Sequence, residues 1–88
     1  MSPSLPMEIR KLGFNTEARV GDRRLHVQTE VLRNPEVTIR TTVLETGTVR
    51  FSESHPCPLE LDDVAPVKEA VESQHLRIVG RVHRGEVG

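Results

Sequence analysis

The sequence predicts an α+β fold, in which a four-stranded antiparallel β-meander is packed on one face by a long C-terminal α-helix. Three segments alternate apolar with polar residues, so that each can line one buried face of a strand. They cover residues 14–20, 25–31 and 37–43. The C-terminal part of the chain instead repeats its apolar residues at three- and four-residue steps, which is the period of an amphipathic helix.

Turn residues set the boundaries of the first two strands. The first strand is expected to begin near Leu12 and end at Val20, because Gly21-Asp22 is typical of a tight hairpin turn. The second strand reaches about Leu32, and residues 33–36 end it, since the proline in this segment lacks the backbone donor that a ladder needs. A second antiparallel hairpin is therefore expected.

The fourth strand is expected to be short and weak. Residues 45–47 form the preceding turn, and Val49 and Phe51 stand two apart within a strand that covers residues 48–52. Two prolines then alternate with other residues over 55–58. Because proline cannot pair within a central strand, this segment is predicted to leave the sheet as a loop.

The helix is expected to start near Asp62 or Asp63, either of which suits the N-cap, with Pro66 in the first turn. Its buried stripe is predicted to consist of Val64, Val67, Val71, His75, Ile78 and Val82. Residues 76–82 are also rich in β-branched residues and contain a glycine, so a fifth strand is the alternative for this segment. The unbroken helical spacing through Val82 favours the helix.

Length and composition limit the classes of function. The 88 residues include two phenylalanines and no tryptophan or tyrosine, which predicts one domain with a small core, over residues 8–88, behind a disordered leader at 1–7. The net charge of −1 gives no bulk attraction to nucleic acid or to an anionic membrane. A single cysteine, Cys57, and the absence of a long apolar run favour a cytoplasmic protein.

Three motifs connect the chain to a known family. They are Phe14-Asn15-Thr16-Glu17, then His26-Val27-Gln28-Thr29-Glu30, then Gln74-His75 followed by a basic, apolar segment that ends in Arg84-Gly85-Glu86. On these motifs the chain resembles, over most of residues 14–86, a family of small uncharacterised bacterial proteins. That family has an acidic residue where this chain has Val31, and an aromatic residue where it has Ser54 and His55. The resemblance implies one compact domain with a C-terminal helix and implies no activity.

The polar face of the first hairpin is a candidate binding surface. Five hydrogen-bonding side chains fall on it and are the predicted binding residues, namely Asn15, Glu17, His26, Gln28 and Glu30. Four arginines, Arg19, Arg24, Arg40 and Arg50, share this face by parity. An antiparallel sheet with one wet face shows such alternation in any case, and cross-strand ion pairs with Glu17 and Glu30 are then a sufficient explanation.

Metal, catalytic and nucleic-acid chemistry have less support. Candidate zinc ligands are His26, His55, Cys57, His75 and His83, but their spacing matches no metal site, and neither a metal nor another cofactor is predicted. Cys57 beside His55 is the only local pairing of a nucleophile with a base, and a small packed residue is the simpler interpretation. Arg77, Arg81 and Arg84 form a basic stripe, but the lack of exposed aromatic rings argues against nucleic acid.

The sequence therefore predicts a non-enzymatic protein-protein interaction module that binds a second copy of itself or another protein. One helix and four short strands leave sheet edges uncovered, and dimerisation is the commonest way to cover them. The candidate contact residues are Leu32, Leu44 and Leu76, which lie off the predicted buried faces. The alternative is a small-ligand or nucleic-acid binding domain that uses the polar face of the first hairpin.

Overall fold

The computed structural model describes residues 9, 11–33, 36–57 and 64–87 of the chain. The elements in chain order are β1 (Gly13–Val20), β2 (Arg23–Arg33), β3 (Val37–Glu45), β4 (Thr48–Pro56) and α1 (Val64–His83). Four strands and one C-terminal helix confirm the predicted α+β fold. The predicted leader at 1–7 and the predicted N-cap at Asp62 or Asp63 lie outside the described residues.

The four strands form one antiparallel sheet in the order β1-β2-β3-β4, which confirms the predicted meander. The helix α1 packs on one face of this sheet, which we call the inner face, and the opposite face is the open face. Ala18 of β1, Leu25 and Val27 of β2, and Val43 of β3 are all buried on the inner face. Because successive strand residues point to opposite faces, the residues between them belong to the open face.

The helix α1 is continuous through residues 76–82, so the alternative of a fifth strand is wrong. Its buried stripe runs from Val67 to Val82 and includes His75, as the helical spacing predicted, and Gln74 is buried beside it. Val64, at the start of the predicted stripe, is half-buried. The predicted packing of the C-terminal amphipathic helix against one face of the sheet is therefore confirmed.

A Schellman motif ends the helix. Gly85 has a left-handed φ of 73°. Its N–H donates to the Val82 carbonyl over 3.0 Å, and the Glu86 N–H donates to the Arg81 carbonyl over 2.9 Å. This turn returns Val87 to the core, where it is 4% exposed.

The strand β4 is longer than predicted. It continues to Pro56, which pairs with Thr38 of β3, so the prediction that the chain leaves the sheet at His55 is wrong. A proline is tolerated here because β4 is an edge strand, and one side of an edge strand needs no hydrogen-bond donors. The N–H of Cys57 still donates to the Val37 carbonyl, over 2.9 Å. The second proline of this segment lies outside the described residues.

A β-bulge in β4 places Val49 and Phe51 on opposite faces of the sheet, although strict alternation predicted one face for both. Val43 pairs with Phe51 on the inner face. Leu44 pairs with Val49, so Val49 lies on the open face. Arg50, which parity assigned to the polar face, is the extra residue of the bulge. The bulge therefore moves an apolar side chain onto the open face.

The two hairpin turns at one end of the sheet differ in type. In the first turn Gly21 alone has a positive φ, of 64°, which is the pattern of a type II′ turn. In the second turn both Thr46 and Gly47 have positive φ, of 49° and 81°, which is the pattern of a type I′ turn. A left-handed φ is uncommon for a β-branched residue, so Thr46 is strained.

Replacing Thr46 by asparagine is expected to stabilise the protein. Asparagine followed by glycine is the preferred type I′ pair, and asparagine tolerates the left-handed φ that strains threonine. We expect the midpoint of thermal unfolding to rise by about 4–8 °C, which is roughly 1 kcal/mol for a domain of this size. The matched control is Thr48→Asn within β4, which should lower the midpoint because asparagine is disfavoured in strands. A midpoint for Thr46→Asn at or below that of the wild type would contradict the turn geometry.

Candidate functional site

The open face carries all five predicted binding residues, on adjacent positions of β1 and β2. Two ranks of paired side chains cross all four strands at this place. One rank consists of Asn15, Gln28, Thr42 and Ser52, and the other consists of Glu17, His26, Leu44 and Val49. His26 Nε2 donates a hydrogen bond to Asn15 Oδ1 over 3.2 Å, which links the two ranks.

Arginines engage both glutamates among these five residues. Arg24 Nε lies 2.9 Å from a Glu17 carboxylate oxygen, and Arg40 lies 3.7 Å from Glu30. The cross-strand ion pairs that the alternation predicted are therefore confirmed. Such exposed pairs contribute little to stability, but they neutralise charge on the open face. Four of the five predicted residues thus contact partners on their own face.

The three leucines predicted for self-association lie in different places. Leu44 is half-buried on the open face, directly across from Val49, which is 57% exposed. Leu32 shares this face but pairs with Thr38, near the other end of the sheet. Leu76 lies on the solvent side of α1 and is 60% exposed. The alternation does not predict that Val49 adjoins Leu44, because the bulge that turns Val49 outward leaves no signal in the sequence.

A shallow depression lies on the open face, at the end nearest the two hairpin turns. Its lining includes Glu17, Arg24, His26, Leu44, Thr46 and Gly47. An apolar side chain surrounded by charged and polar groups is the usual composition of a contact surface. The depression adjoins the rank that ends in Val49.

A second polar cluster lies inside the protein, between α1 and the inner face. We call it the polar layer, and its members are His75 and Gln74 of α1 with Thr16, Thr29 and Thr41 of the sheet. It divides the core into two apolar clusters. One contains Ala18, Leu25, Val27, Val43, Ile78, Val82 and Val87, and the other contains Ile9, Val31, Ile39, Val67 and Val71. On β2, β3 and α1 the polar layer falls between the positions that belong to these two clusters.

Hydrogen bonds join the polar layer into one chain. His75 Nε2 lies 2.8 Å from Thr16 Oγ1, and His75 Nδ1 lies 2.8 Å from Thr29 Oγ1. The hydroxyl oxygens of Thr29 and Thr41 lie 2.7 Å apart. Gln74 Nε2 donates to Thr41 Oγ1 over 3.1 Å and to a backbone carbonyl of β3 over 3.0 Å. Every buried side-chain nitrogen and oxygen in the described part of the chain has a hydrogen-bond partner.

Only one direction of donation along these hydrogen bonds gives the proton of every fully buried hydroxyl an acceptor. Gln74 Nε2 can only donate, so Thr41 accepts from it and donates its own proton to Thr29. Thr29 then donates to His75 Nδ1, and His75 donates from Nε2 to the half-buried Thr16. In the reverse direction the hydroxyl proton of Thr41, which is 0% exposed, would have no acceptor within the layer. The hydrogen-bond geometry therefore favours the neutral tautomer of His75 with its proton on Nε2.

Burial lowers the pKa of His75 below its usual value of 6.5, because the charged imidazolium loses hydration in the core. His75 is 2% exposed, and its ring packs against Phe14 with the centroids 5.5 Å apart. The helical spacing placed His75 in the buried stripe, but it gave no sign of Gln74. The alternation did place the three threonines on buried positions, and polar residues at such positions are the signal of an internal polar layer.

A charged cluster between α1 and β4 accounts for the predicted basic stripe. Arg77 hydrogen-bonds to Glu53, and Arg81 lies 3.7 Å from the same carboxylate. The hydrogen bond from Arg77 is the main reason that the pKa of Glu53 lies below its usual range. Arg84 pairs in the same manner with Glu86. Each arginine of the stripe therefore has a carboxylate partner.

The residues considered for metal or nucleophilic chemistry do not converge. His55 Nε2 donates to Glu53 over 2.7 Å, while Cys57 is half-buried against the second apolar cluster. Within the described residues, no three histidine, cysteine, aspartate or glutamate side chains lie close enough together to hold a metal ion. No helix in that part of the chain has both the length and the apolar character needed to cross a membrane.

Comparison with protein-family models, with curated proteins and with solved structures finds no match for this chain. The fold therefore defines its class, a small α+β domain in which one helix covers one face of a four-stranded antiparallel sheet. The resemblance to a family of uncharacterised bacterial proteins stays a prediction.

Proposed function

We propose that this chain is a non-enzymatic protein-protein interaction module of the cytoplasm that self-associates through the open face of its sheet. The observation that carries the proposal is the apolar pair formed by Leu44 and Val49 on that face, with Val49 57% exposed. Exposed apolar side chains that adjoin one another, surrounded by polar groups, are typical of protein contact surfaces.

The charges of the open face suit contact between two copies. Its charged side chains are Arg19, Arg24, Arg40, Glu17 and Glu30. Both glutamates already pair with arginines on the same face. The face therefore has little net charge, and two copies that meet there repel each other only weakly.

The area of the open face limits the size of an interface that forms there. The strands β3 and β4 have nine residues each. Nine residues at about 3.3 Å each, across four strands about 4.8 Å apart, give a projected area of about 570 Å². A stable interface buries about 800 Å² per partner. We therefore expect a reversible dimer that uses most of the open face and dissociates on dilution.

Light scattering across a dilution series tests self-association. We expect a mass near twice the 9.9 kDa of one chain at high concentration, and a fall toward one chain as the protein is diluted. Val49→Glu should raise the dissociation constant at least tenfold, roughly 1.4 kcal/mol, because it places a charge in the apolar contact. The matched control is Leu76→Glu on α1, since Leu76 is 60% exposed and Val49 is 57% exposed.

Two results would contradict this proposal. A mass of one chain at every concentration would contradict self-association itself. Loss of the dimer in Leu76→Glu, with the dimer intact in Val49→Glu, would contradict the open face and place the contact on α1. Circular dichroism of both variants establishes that each is folded before the masses are compared.

Small-ligand binding is the second candidate, and the depression lined by Arg24, His26 and Leu44 favours it. It is the weaker candidate because four of the five predicted binding residues already contact neighbours on the open face. Nucleic-acid binding has less support again, since each arginine of the basic stripe pairs with a carboxylate. A strictly monomeric protein would make a small ligand bound in this depression the next hypothesis to test, by chemical-shift mapping.

A further inference from the structure

The contact between α1 and the sheet includes an almost fully buried histidine. His75 is 2% exposed, and its two ring nitrogens lie 2.8 Å from Thr16 of β1 and 2.8 Å from Thr29 of β2. A neutral imidazole fits this place, because one nitrogen accepts from Thr29 while the other donates to Thr16. The open face plays no part in this contact, so a role for His75 is independent of the proposed function.

We propose that protonation of His75 loosens α1 from the sheet, so that the domain contains a pH-sensitive latch. An imidazolium donates from both nitrogens, so Thr29 would have to accept instead of donating. Thr29 would then donate to Thr41, which already accepts from Gln74. The hydroxyl proton of Thr41 would be left in the core without an acceptor in the layer. Protonation thus adds a buried charge and breaks the hydrogen-bond chain at once.

No carboxylate among the described residues is placed to compensate the charge. The charged residues adjacent to the threonines of the layer are Glu17, Glu30 and Arg40, and all three belong to the open face. Arg33 and Glu45 occupy inner positions four residues from Thr29 and Thr41. Glu45 is already engaged by Arg23 and Arg50. On β4, Glu53 is the nearest acid, and it is engaged by Arg77, Arg81 and His55. The apolar ring of Phe14 also packs against His75.

The direction of the pH effect follows from proton linkage. Once α1 is released, His75 has its ordinary pKa near 6.5, whereas burial lowers the pKa of the closed form. The released form therefore binds more protons, and the release of α1 becomes more favourable as the pH falls below about 6.5. Carboxylate groups act in a separate and lower range, because their ordinary pKa is 4.5, and Arg23 lowers that of Glu45 to about 2. Release would uncover the apolar stripe of α1 and the inner face for a partner chain.

Hydrogen exchange of the α1 amides, measured by NMR between pH 7.5 and 5.5, tests the latch in the wild-type protein. After correction for the intrinsic pH dependence of exchange, the opening constant should rise by up to about tenfold per pH unit below pH 6.5. It should be flat above pH 7. An opening constant that does not change with pH over this range would overturn the proposal.

Two variants assign the effect to one histidine. His75→Gln keeps a donor and an acceptor but cannot titrate, so its opening constant should be flat from pH 7.5 to 5.5, whatever its value. His26→Gln, on the open face, is the matched control and should keep the pH dependence of the wild type. Should His75→Gln fail to fold, an NMR titration of the wild-type imidazoles decides. His75 must then stay neutral below the ordinary histidine pKa of 6.5, and ordinary titration of His75 would overturn the latch.

Discussion

Replacing Ile78 by alanine is expected to lower the free energy of unfolding by about 2–5 kcal/mol. Ile78 is 0% exposed and belongs to the apolar cluster that joins α1 to Leu25, Val27 and Val43. Alanine removes buried methyl and methylene groups from this contact and leaves a cavity. A domain of 88 residues has a total stability of about 4–13 kcal/mol, so this one substitution removes a large part of it.

Leu76→Ala is the matched control for that substitution. Leu76 stands only two residues away on the same helix but is 60% exposed, so its replacement should change the stability by less than about 0.5 kcal/mol. Urea unfolding followed by circular dichroism measures both variants. Equal losses for Ile78→Ala and Leu76→Ala would show that the assigned orientation of α1 on the sheet is wrong. A large loss confined to Leu76→Ala would reverse that orientation.

The fold is predictable from the sequence because its apolar residues recur with two distinct periods. Apolar residues at every second position predict β1, β2 and β3, and apolar residues at every third or fourth position predict α1. Both patterns arise from the same cause, which is burial of one side of each element. The segment 76–82 shows the limit of local propensity, since its β-branched residues suit a strand although it is helical. Its place against the inner face decides in favour of the helix.

The extent of β4 is less predictable, because it depends on the place of the strand in the sheet. A proline excludes a central strand but not an edge strand, and the alternation does not reveal which strand lies at the edge. Pro56 therefore belongs to β4, although its residue type argues for a loop. The bulge at Arg50 is equally difficult to predict from the sequence. One extra residue reverses the face of Val49, and no feature of the local sequence marks the reversal.

The same limit applies to the prediction of the candidate contact surface from the sequence. Parity along β1 and β2 correctly places Asn15, Gln28 and their neighbours on the open face, because neither strand contains a bulge. The most exposed apolar residue of that face, Val49, comes from β4 and is displaced by the bulge. Leu44 was recognisable from the alternation, but its apolar partner was not. A contact surface that spans several strands requires the register of every strand, and the sequence specifies register only where one face is buried.

Part of the polar layer could be predicted from the sequence. Thr29 and Thr41 occupy inner positions of the alternation, where apolar residues are expected. His75 occupies the buried stripe of the helix. The sequence does not reveal the position of α1 along the strands. This position brings His75 level with both threonines. Buried polar groups that satisfy one another favour a single arrangement of packed elements, and we infer that the polar layer fixes the position of α1 along the strands.

Replacing Thr29 by valine is the test of that inference, and it should lower the free energy of unfolding by about 2–3 kcal/mol. Valine has nearly the shape of threonine, so the packing is preserved and the hydrogen bonds alone are removed. Thr29 stands between His75 and Thr41, so its loss leaves a buried ring nitrogen without a donor and a buried hydroxyl without an acceptor. The control is Thr42→Val on the open face, which should change the stability by less than about 0.5 kcal/mol.

The double variant Thr29→Val with Thr41→Val separates a connected layer from two independent hydrogen bonds. Thr29→Val alone leaves the hydroxyl of Thr41 unsatisfied, and removal of that hydroxyl relieves the penalty. The double variant should therefore lose less stability than the sum of the two single losses, by about 1 kcal/mol in a double-mutant cycle of urea unfolding. Additive losses would mean that the threonines act separately. The layer would then be a set of local contacts, and the position of α1 would rest on its apolar stripe alone.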